Sequence, residues 1–220
     1  MAQSFYIDRE DAATKLIPFL EKYYGDHTTV VLGLPRGGVV LASTIAKVLA
    51  LPLDTVIVKK INAPANEEFA IGAVTEDNEE FFDWTATEDI CGSEKYIRDS
   101  TEQKYKEARA LALQYRGIRS VENLSNKVAI LVDDGISTGS TMRAAIRSTK
   151  KRGAKKVVVA VPVAPTEALL HIRNEVDEVV CPHTLGFFLS EENFYEYFPR
   201  VEDKEVSILL ARANVTEQRL

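Results

Sequence analysis

Four short apolar, β-branched runs constrain the fold of this chain more than any other feature: TTVVLGL (28–34), LDTVIVKK (53–60), VAILVD (128–133) and KVVVAVPV (156–163). A strand with one wet face alternates apolar and polar residues, whereas these runs are apolar on both sides and must be covered on both faces. Segments of helical length and composition lie between them, GVVLASTIAKVLA (38–50) and STMRAAIRSTKKRG (140–153). Strands alternating with helices predict an α/β fold, a Rossmann-like central parallel sheet with helices on both faces. DEVVCP (177–182) is one more candidate strand. In such sheets, ligands bind at the carboxyl ends of the strands.

Three other stretches fall outside the alternation. Residues 8–24 carry apolar side chains at helical spacing (Ala12, Leu16, Phe19, Leu20, Tyr23), with Pro18 expected to kink the helix and Gly25 to stop it. FAIGAV (69–74) and EEFFDW (79–84) flank the turn TEDN and read as an antiparallel pair; with INAPANEE they form a flap over 61–84. Residues 94–115 read as a charged helix packing by a stripe of Ile97, Thr101, Tyr105, Ala108 and Ala112.

At 220 residues and 45% hydrophobic, the chain is long enough to bury a core as one domain, 1–220. A net charge of -6 gives no general attraction to nucleic acid or an anionic membrane, so neither is an expected partner and an anionic ligand must meet local cations. The cysteines Cys91 and Cys181 lack metal-ligand spacing and read as buried thiols. The opening MAQSFYIDRE has no signal pattern and no run of about 18 apolar residues exists, so a soluble cytoplasmic protein is expected.

The chemistry concentrates in VAILVDDGISTGST (128–141), where an apolar run ends in paired carboxylates and continues through glycines and hydroxyls into a helix. Backbone N–H groups at a helix start make an anion cradle, Gly135 and Gly139 allow close approach, and Ser137, Thr138, Ser140 and Thr141 can donate to phosphate oxygens. Asp133 and Asp134 accept only, so they need hydroxyls or a cation. The vicinal hydroxyls of a ribose, with a magnesium ion held nearby by oxygen ligands, would satisfy them. The implied ligand is a phosphorylated ribose. Asp-Asp-Gly taken alone is equally a turn signal, and only the full order of strand, acids, STGST and helix favours the ligand. The Walker Gly-Lys-Ser/Thr and the dinucleotide GxGxxG are both lacking.

This loop resembles the phosphoribosylpyrophosphate (PRPP) motif of the type I phosphoribosyltransferases. Together with LPRGGVVLASTIAKVLALPLDTVIVKKINAPANEEFAIGAV and VVVAVPVAP it is similar to a bacterial group of phosphoribosyltransferases whose base specificity is unassigned. The resemblance implies magnesium-dependent transfer of phosphoribose from PRPP to a small-molecule nitrogenous acceptor. Asp133 and Asp134 would hold the ribose hydroxyls and the metal, and Gly135, Ile136, Ser137, Thr138, Gly139, Ser140 and Thr141 the 5-phosphate. It places the pyrophosphate at LPRGG, on Arg36, Gly37 and Gly38, with a strained peptide bond expected within 34–37. Arg36, Lys60 and the two acids are the implied catalytic groups; Lys60 is preferred over Lys59 because relatives often have Arg-Lys here and period two sends the pair to opposite faces.

The flap matches the family's mobile catalytic loop, without assigning a role to Asn62, Asn66, Glu67 or Glu68. Ser137 stands where some purine-using relatives carry an acid. Base recognition falls to a hood at 181–200, where Phe187, Phe188, Phe194 and Tyr195 could stack on a ring or simply pack a core, and where His183 is read as structural. Relatives are often dimers. The alternative on the same fold is a non-catalytic regulator that senses PRPP or a nucleotide.

Overall fold

The computed structural model describes residues 4–64, 66–82, 94–117, 119, 121–186 and 190–217. Its strands are β1 (Thr29–Gly33), β2 (Leu53–Thr55), β3 (Val58–Ala63), β4 (Asn66–Thr75), β5 (Glu80–Phe82), β6 (Val128–Val132), β7 (Lys156–Ala160), β8 (Val163–Pro165), β9 (Glu178–Val180) and β10 (His183–Leu185). The helices are α1 (Arg9–Leu16), α2 (Gly37–Leu49), α3 (Glu94–Arg116), α4 (Ser140–Lys151), α5 (Thr166–Arg173) and α6 (Asp203–Glu217).

Five strands form the parallel sheet, in the order β2-β1-β6-β7-β9. Period two divides their side chains between two cores. Val30, Leu32, Ala129, Leu131, Val157 and Val159 pack on Met142, Ala145 and Ile146 of α4 and Leu169 and Ile172 of α5. Val31, Ile130, Val132, Val158 and Ala160 pack on the other side against Leu16 of α1, Leu41, Ala42 and Ile45 of α2 and Val206 and Leu210 of α6. Each valine or leucine so buried contributes about 1.5–3 kcal/mol. The sheet is therefore covered on both faces, as the unbroken apolar runs require.

The run at 53–60 divides between two sheets rather than forming one strand. β2 ends at Thr55, and β3 belongs to an antiparallel sheet ordered β3-β4-β5. Between them Val56 and Ile57 are fully buried, and Ile57 exchanges hydrogen bonds with Glu76 instead of continuing the ladder. The run at 156–163 likewise stops at Ala160, because Pro162 has no N–H to give, and Val163 opens β8, which pairs with β10 in a separate two-stranded sheet. In the N-terminal helix, Pro18 does more than kink: the α-helix ends at Leu16, and two 3-10 turns carry the chain to Gly25, which takes φ +65°.

The antiparallel pair expected around TEDN is present, with Gly72, Ala73 and Val74 facing Phe82, Phe81 and Glu80. This sheet is held from both sides. Ile61, Ile71, Val74 and Phe82 pack on Tyr96, Ile97 and Tyr105 of α3, and Ala73 and Phe81 pack on Ala144 of α4. Its turn is stapled to α4 as well: Ser148 Oγ donates to Asp77 (2.9 Å), Lys151 pairs with Glu79 (2.5 Å) and Arg147 donates to the Glu80 carbonyl (3.0 Å).

The C-terminal segment folds back onto the N-terminus. Phe5 and Tyr6 amides donate to the Phe194 carbonyl, and Glu196 and Tyr197 amides donate to the carbonyls of Tyr6 and Ile7. Trp84, Cys91, Phe187, Phe188 and part of both the flap and the hood lie outside the described residues.

Candidate active site

β1 and β6 are adjacent, and their register is level, with Gly33 opposite Val132. The helices that follow them, α2 and α4, leave to opposite faces of the sheet. This is the topological switch point of the sheet, where the two outgoing loops diverge and leave a crevice. One loop is LPRGG and the other DDGISTGST. Leu34 is tied to the Val132 carbonyl at 2.9 Å, and the Pro35–Arg36 peptide is cis, inside the span where a strained bond is expected.

The two loops touch. A Cβ on Gly37 would lie 1.8 Å from Asp134 Oδ2, and one on Gly38 would lie 2.6 Å from the Val132 carbonyl oxygen and 2.8 Å from Asp133 Oδ1. Any side chain here would displace the acid pair, so the double glycine is a packing requirement of the site.

The acids are held differently. Asp133 Oδ1 accepts from the Asp134 amide (2.9 Å). Asp134 Oδ2 accepts from Arg9 Nε (2.8 Å), while the Asp134 carbonyl accepts from the Tyr195 hydroxyl (2.6 Å). Burial first, and the neighbouring Asp134 charge second, push the Tyr195 phenol well above its ordinary range, so it stays a donor. Arg9 is 7% exposed; its Nη1 donates to the Pro199 carbonyl (2.7 Å), and its guanidinium lies 3.7 Å from the Phe198 ring centre. The repulsion between neighbouring aspartates is thus offset by a buried cation from α1. A carboxylate has about four lone-pair sites, and Arg9 takes one of those on Asp134.

The hydroxyl loop rises into α4, which begins at Ser140 after Gly139 in the left-handed region (φ +85°); glycine offers no capping side chain, and Thr138 Oγ1 accepts from the Ser140 amide at 3.4 Å. Such an end favours an anion. Thr138 is exposed and Ser137 half-buried, and Thr138 Oγ lies 3.2 Å from the buried Ser140 Oγ. Ile136 points into the core and its amide bonds the Val163 carbonyl (3.1 Å), so its role is to anchor the loop.

Arg36 lies at the N-terminus of α2, its Nη1 3.9 Å from Asp203 Oδ1, which also accepts from the Tyr115 hydroxyl at 2.5 Å. Between this loop and the C-terminal segment lies a cavity of about 370 Å³, lined by Arg9, Arg36, Gly37, Phe198 and Arg200 with Glu192. Lys59 and Lys60 do separate. Lys60 is opposite Ala73, on the flap face that meets Ala144 of α4, and is exposed; Lys59 is opposite Val74, on the face that meets α3, and its charge acts on Glu107. The sheet directs Lys60 to the face that packs on α4 and Lys59 to the face that packs on α3.

Two of the proposed stacking residues pack instead. Phe194 and Tyr195 are 9% and 6% exposed, and His183 stacks on Phe5 (centroids 4.1 Å apart). Burial and the charge of Lys15 hold the His183 pKa below the usual histidine value. Cys181 is half-buried rather than buried, and desolvation pushes its thiol up to about 11. The side chains of Asn66, Glu67 and Glu68 lie outside the described residues, while the Asn62 carbonyl accepts from the Tyr96 hydroxyl (2.9 Å). Sequence reasoning missed Arg9, Tyr115 and Asp203. The available signal for Arg9 is a cation at the first position of a helix, where the dipole disfavours it.

No group of three or more His, Cys, Asp or Glu among the described residues is placed to hold a metal. Two adjacent carboxylates match the protein share of a magnesium site completed by substrate oxygens.

The model of the phosphoribosyl transferase domain matches residues 6–197. The chain belongs to this family. "Putative phosphoribosyl transferase Rv0571c" of Mycobacterium tuberculosis is 36% identical over 211 residues, 94% of this chain and 46% of that protein. The chain thus spans about half the length of the curated relatives it matches. The crystal structure of TT1426 from Thermus thermophilus is 36% identical, covers 94% of this chain and 98% of that one, and superposes with a TM-score of 0.78. AQ2163 from Aquifex aeolicus, 12% identical with a TM-score of 0.50 over 86% of this chain and 85% of that one, shares the fold. The phosphoribosyl transferase domain therefore includes both loops of the switch point and reaches Tyr197 of the C-terminal segment.

Proposed function

We propose that this chain is a magnesium-dependent phosphoribosyltransferase that moves phosphoribose from PRPP to a nitrogenous acceptor, most simply a nucleobase, and releases pyrophosphate. The observation that carries the proposal is the contact of the two loops: Gly37 and Gly38 lie directly against Asp134 and Asp133, so a pyrophosphate-type loop and a ribose-phosphate loop share one crevice.

In this reading the start of α4 and the hydroxyls of Ser137, Thr138, Ser140 and Thr141 take the 5-phosphate. The carboxylates of Asp133 and Asp134 accept from the ribose hydroxyls. The bond from C1 to the pyrophosphate oxygen breaks with its electron pair leaving on pyrophosphate, and the acceptor nitrogen supplies the pair for the new bond to C1. Positive charge develops on the ring beside the two acids, while negative charge develops near Arg36, Lys60 and the amides of the 36–38 loop. Magnesium, when bound by Asp133 and Asp134 together with substrate oxygens, supplies charge neutralisation.

Pyrophosphate release measured with PRPP, magnesium and a panel of bases tests this reading, with Asp133→Asn plus Asp134→Asn as the control. Release with at least one base, abolished in the control, is the expected result. A flat panel despite tight PRPP binding would replace the enzyme with a sensor.

A further inference from the structure

We propose that Arg9 is a positioning residue: it fixes the pose of Asp134 and seats the C-terminal segment on that same carboxylate, so the acid pair and the C-terminal wall of the crevice are built as one unit. The inference rests on the functional reading above only for what the crevice binds.

One buried side chain makes three contacts on two separate parts of the chain. Nε donates to Asp134 Oδ2 at 2.8 Å, Nη1 donates to the Pro199 carbonyl at 2.7 Å, and the guanidinium plane covers Phe198 at 3.7 Å. A guanidinium can do this because its donors are fixed in a planar fork and its face stacks on aromatics, whereas an ammonium is a point charge that does neither. Tyr195 adds a second tie to the same residue, through the Asp134 carbonyl. Gly37 closes the remaining side, since a Cβ there would come within 2.8 Å of Arg9 Nε as well as striking the carboxylate. The same guanidinium borders the cavity between Arg36 and the C-terminal segment. Reorienting Asp134 therefore shifts the guanidinium that also holds Pro199 and Phe198, and lifting that segment removes two of the three contacts that fix Arg9 against Asp134.

The test is hydrogen exchange on the intact, ligand-free protein, read at the amides of Glu196 and Tyr197, which donate to the carbonyls of Tyr6 and Ile7. Arg9→Lys keeps the charge and avoids stranding a part-buried carboxylate, so it serves where Arg9→Met fails to fold. Arg9→Lys and Asp134→Asn are each expected to speed exchange at these two amides about 10- to 100-fold, the worth of a charge-assisted hydrogen bond, with no further rise in the double variant. The slowest core amides of β6 and β7 should be unchanged, which a general loss of stability would not allow. Unaltered exchange at Glu196 and Tyr197 in Asp134→Asn, or additive effects in the double variant, overturns the proposal. Calorimetry with PRPP and magnesium supplies the second arm: Arg9→Lys should bind at least about tenfold more weakly than the parent, and equal binding would also overturn it. A parent protein that binds no PRPP refutes the functional reading, while the exchange data alone still decide the tie.

Discussion

Asp134 meets an arginine at its carboxylate, a tyrosine at its carbonyl and a glycine where any side chain would collide. Gly37→Ala is accordingly expected to cost about 1–3 kcal/mol of stability through overpacking and to abolish PRPP binding by displacing the acid. Urea unfolding and calorimetry on one preparation check both effects. Arg36→Ala should lower the rate of pyrophosphate release about 100- to 1,000-fold, the usual loss when one preorganised donor to a developing anion is removed. Glu178 lies outside the candidate site, but its ionisation affects the fold. Burial raises its pKa, yet hydrogen bonds from Lys22, Lys156 and Tyr23 outweigh burial and hold the carboxyl at about 2, against an ordinary 4.5. A depressed carboxylate contributes stability that is fully present above the ordinary value and is lost as pH falls toward the folded one. Glu178→Gln should therefore be less stable than the parent at pH 7, with the gap closing between about pH 4.5 and 2. Urea midpoints measured across that range would show it.

At the scale of elements, the flap sheet is held by α3 on one face and α4 on the other. Ser148, Lys151 and Arg147 of α4 hold its turn, and Arg116 at the end of α3 ties it to the parallel sheet. Arg116 donates to Asp54 Oδ1 at 2.8 Å and to Glu76, and its side chain is 4% exposed. Removing one member of a buried ionic group leaves the others uncompensated. Arg116→Met should cost about 3–5 kcal/mol in urea unfolding, while Arg116→Met combined with Asp54→Asn and Glu76→Gln recovers part of it. The antiparallel pair was legible from its turn residues, and so was the separation of Lys59 from Lys60 by period two. The division of 53–60 between two sheets was not, because a short apolar run carries no mark of which neighbour it will pair with. The same gap in local information hid Arg9, whose partners Asp134 and Pro199 are 125 and 190 residues away in sequence.

At the scale of the molecule, a chain of net charge -6 gathers Arg9, Arg36 and Arg200, with Glu192, around one cavity at the start of α2, so its positive charge there is local. The described residues include no metal cage made by protein ligands alone. If magnesium is held by Asp133, Asp134 and substrate oxygens as proposed, chelation of divalent ions should leave the melting temperature of the ligand-free protein unchanged and weaken PRPP binding, as thermal unfolding and calorimetry with and without EDTA would show. No helix among the described residues is long and apolar enough to cross a membrane.

What the sequence determined by itself was local in origin. Runs apolar on both faces required a sheet covered on both sides, and acids, glycines and hydroxyls after one of them marked the loop at 133–141, since residue spacing alone sets which way side chains point. The tertiary structure decided which loops meet. The level register of β1 and β6 at the switch point presses Gly37 and Gly38 against the acid pair, and the return of the C-terminal segment brings Arg9, Pro199 and Asp134 together. Such contacts depend on strand order and packing between distant segments, and no short window of sequence contains that information.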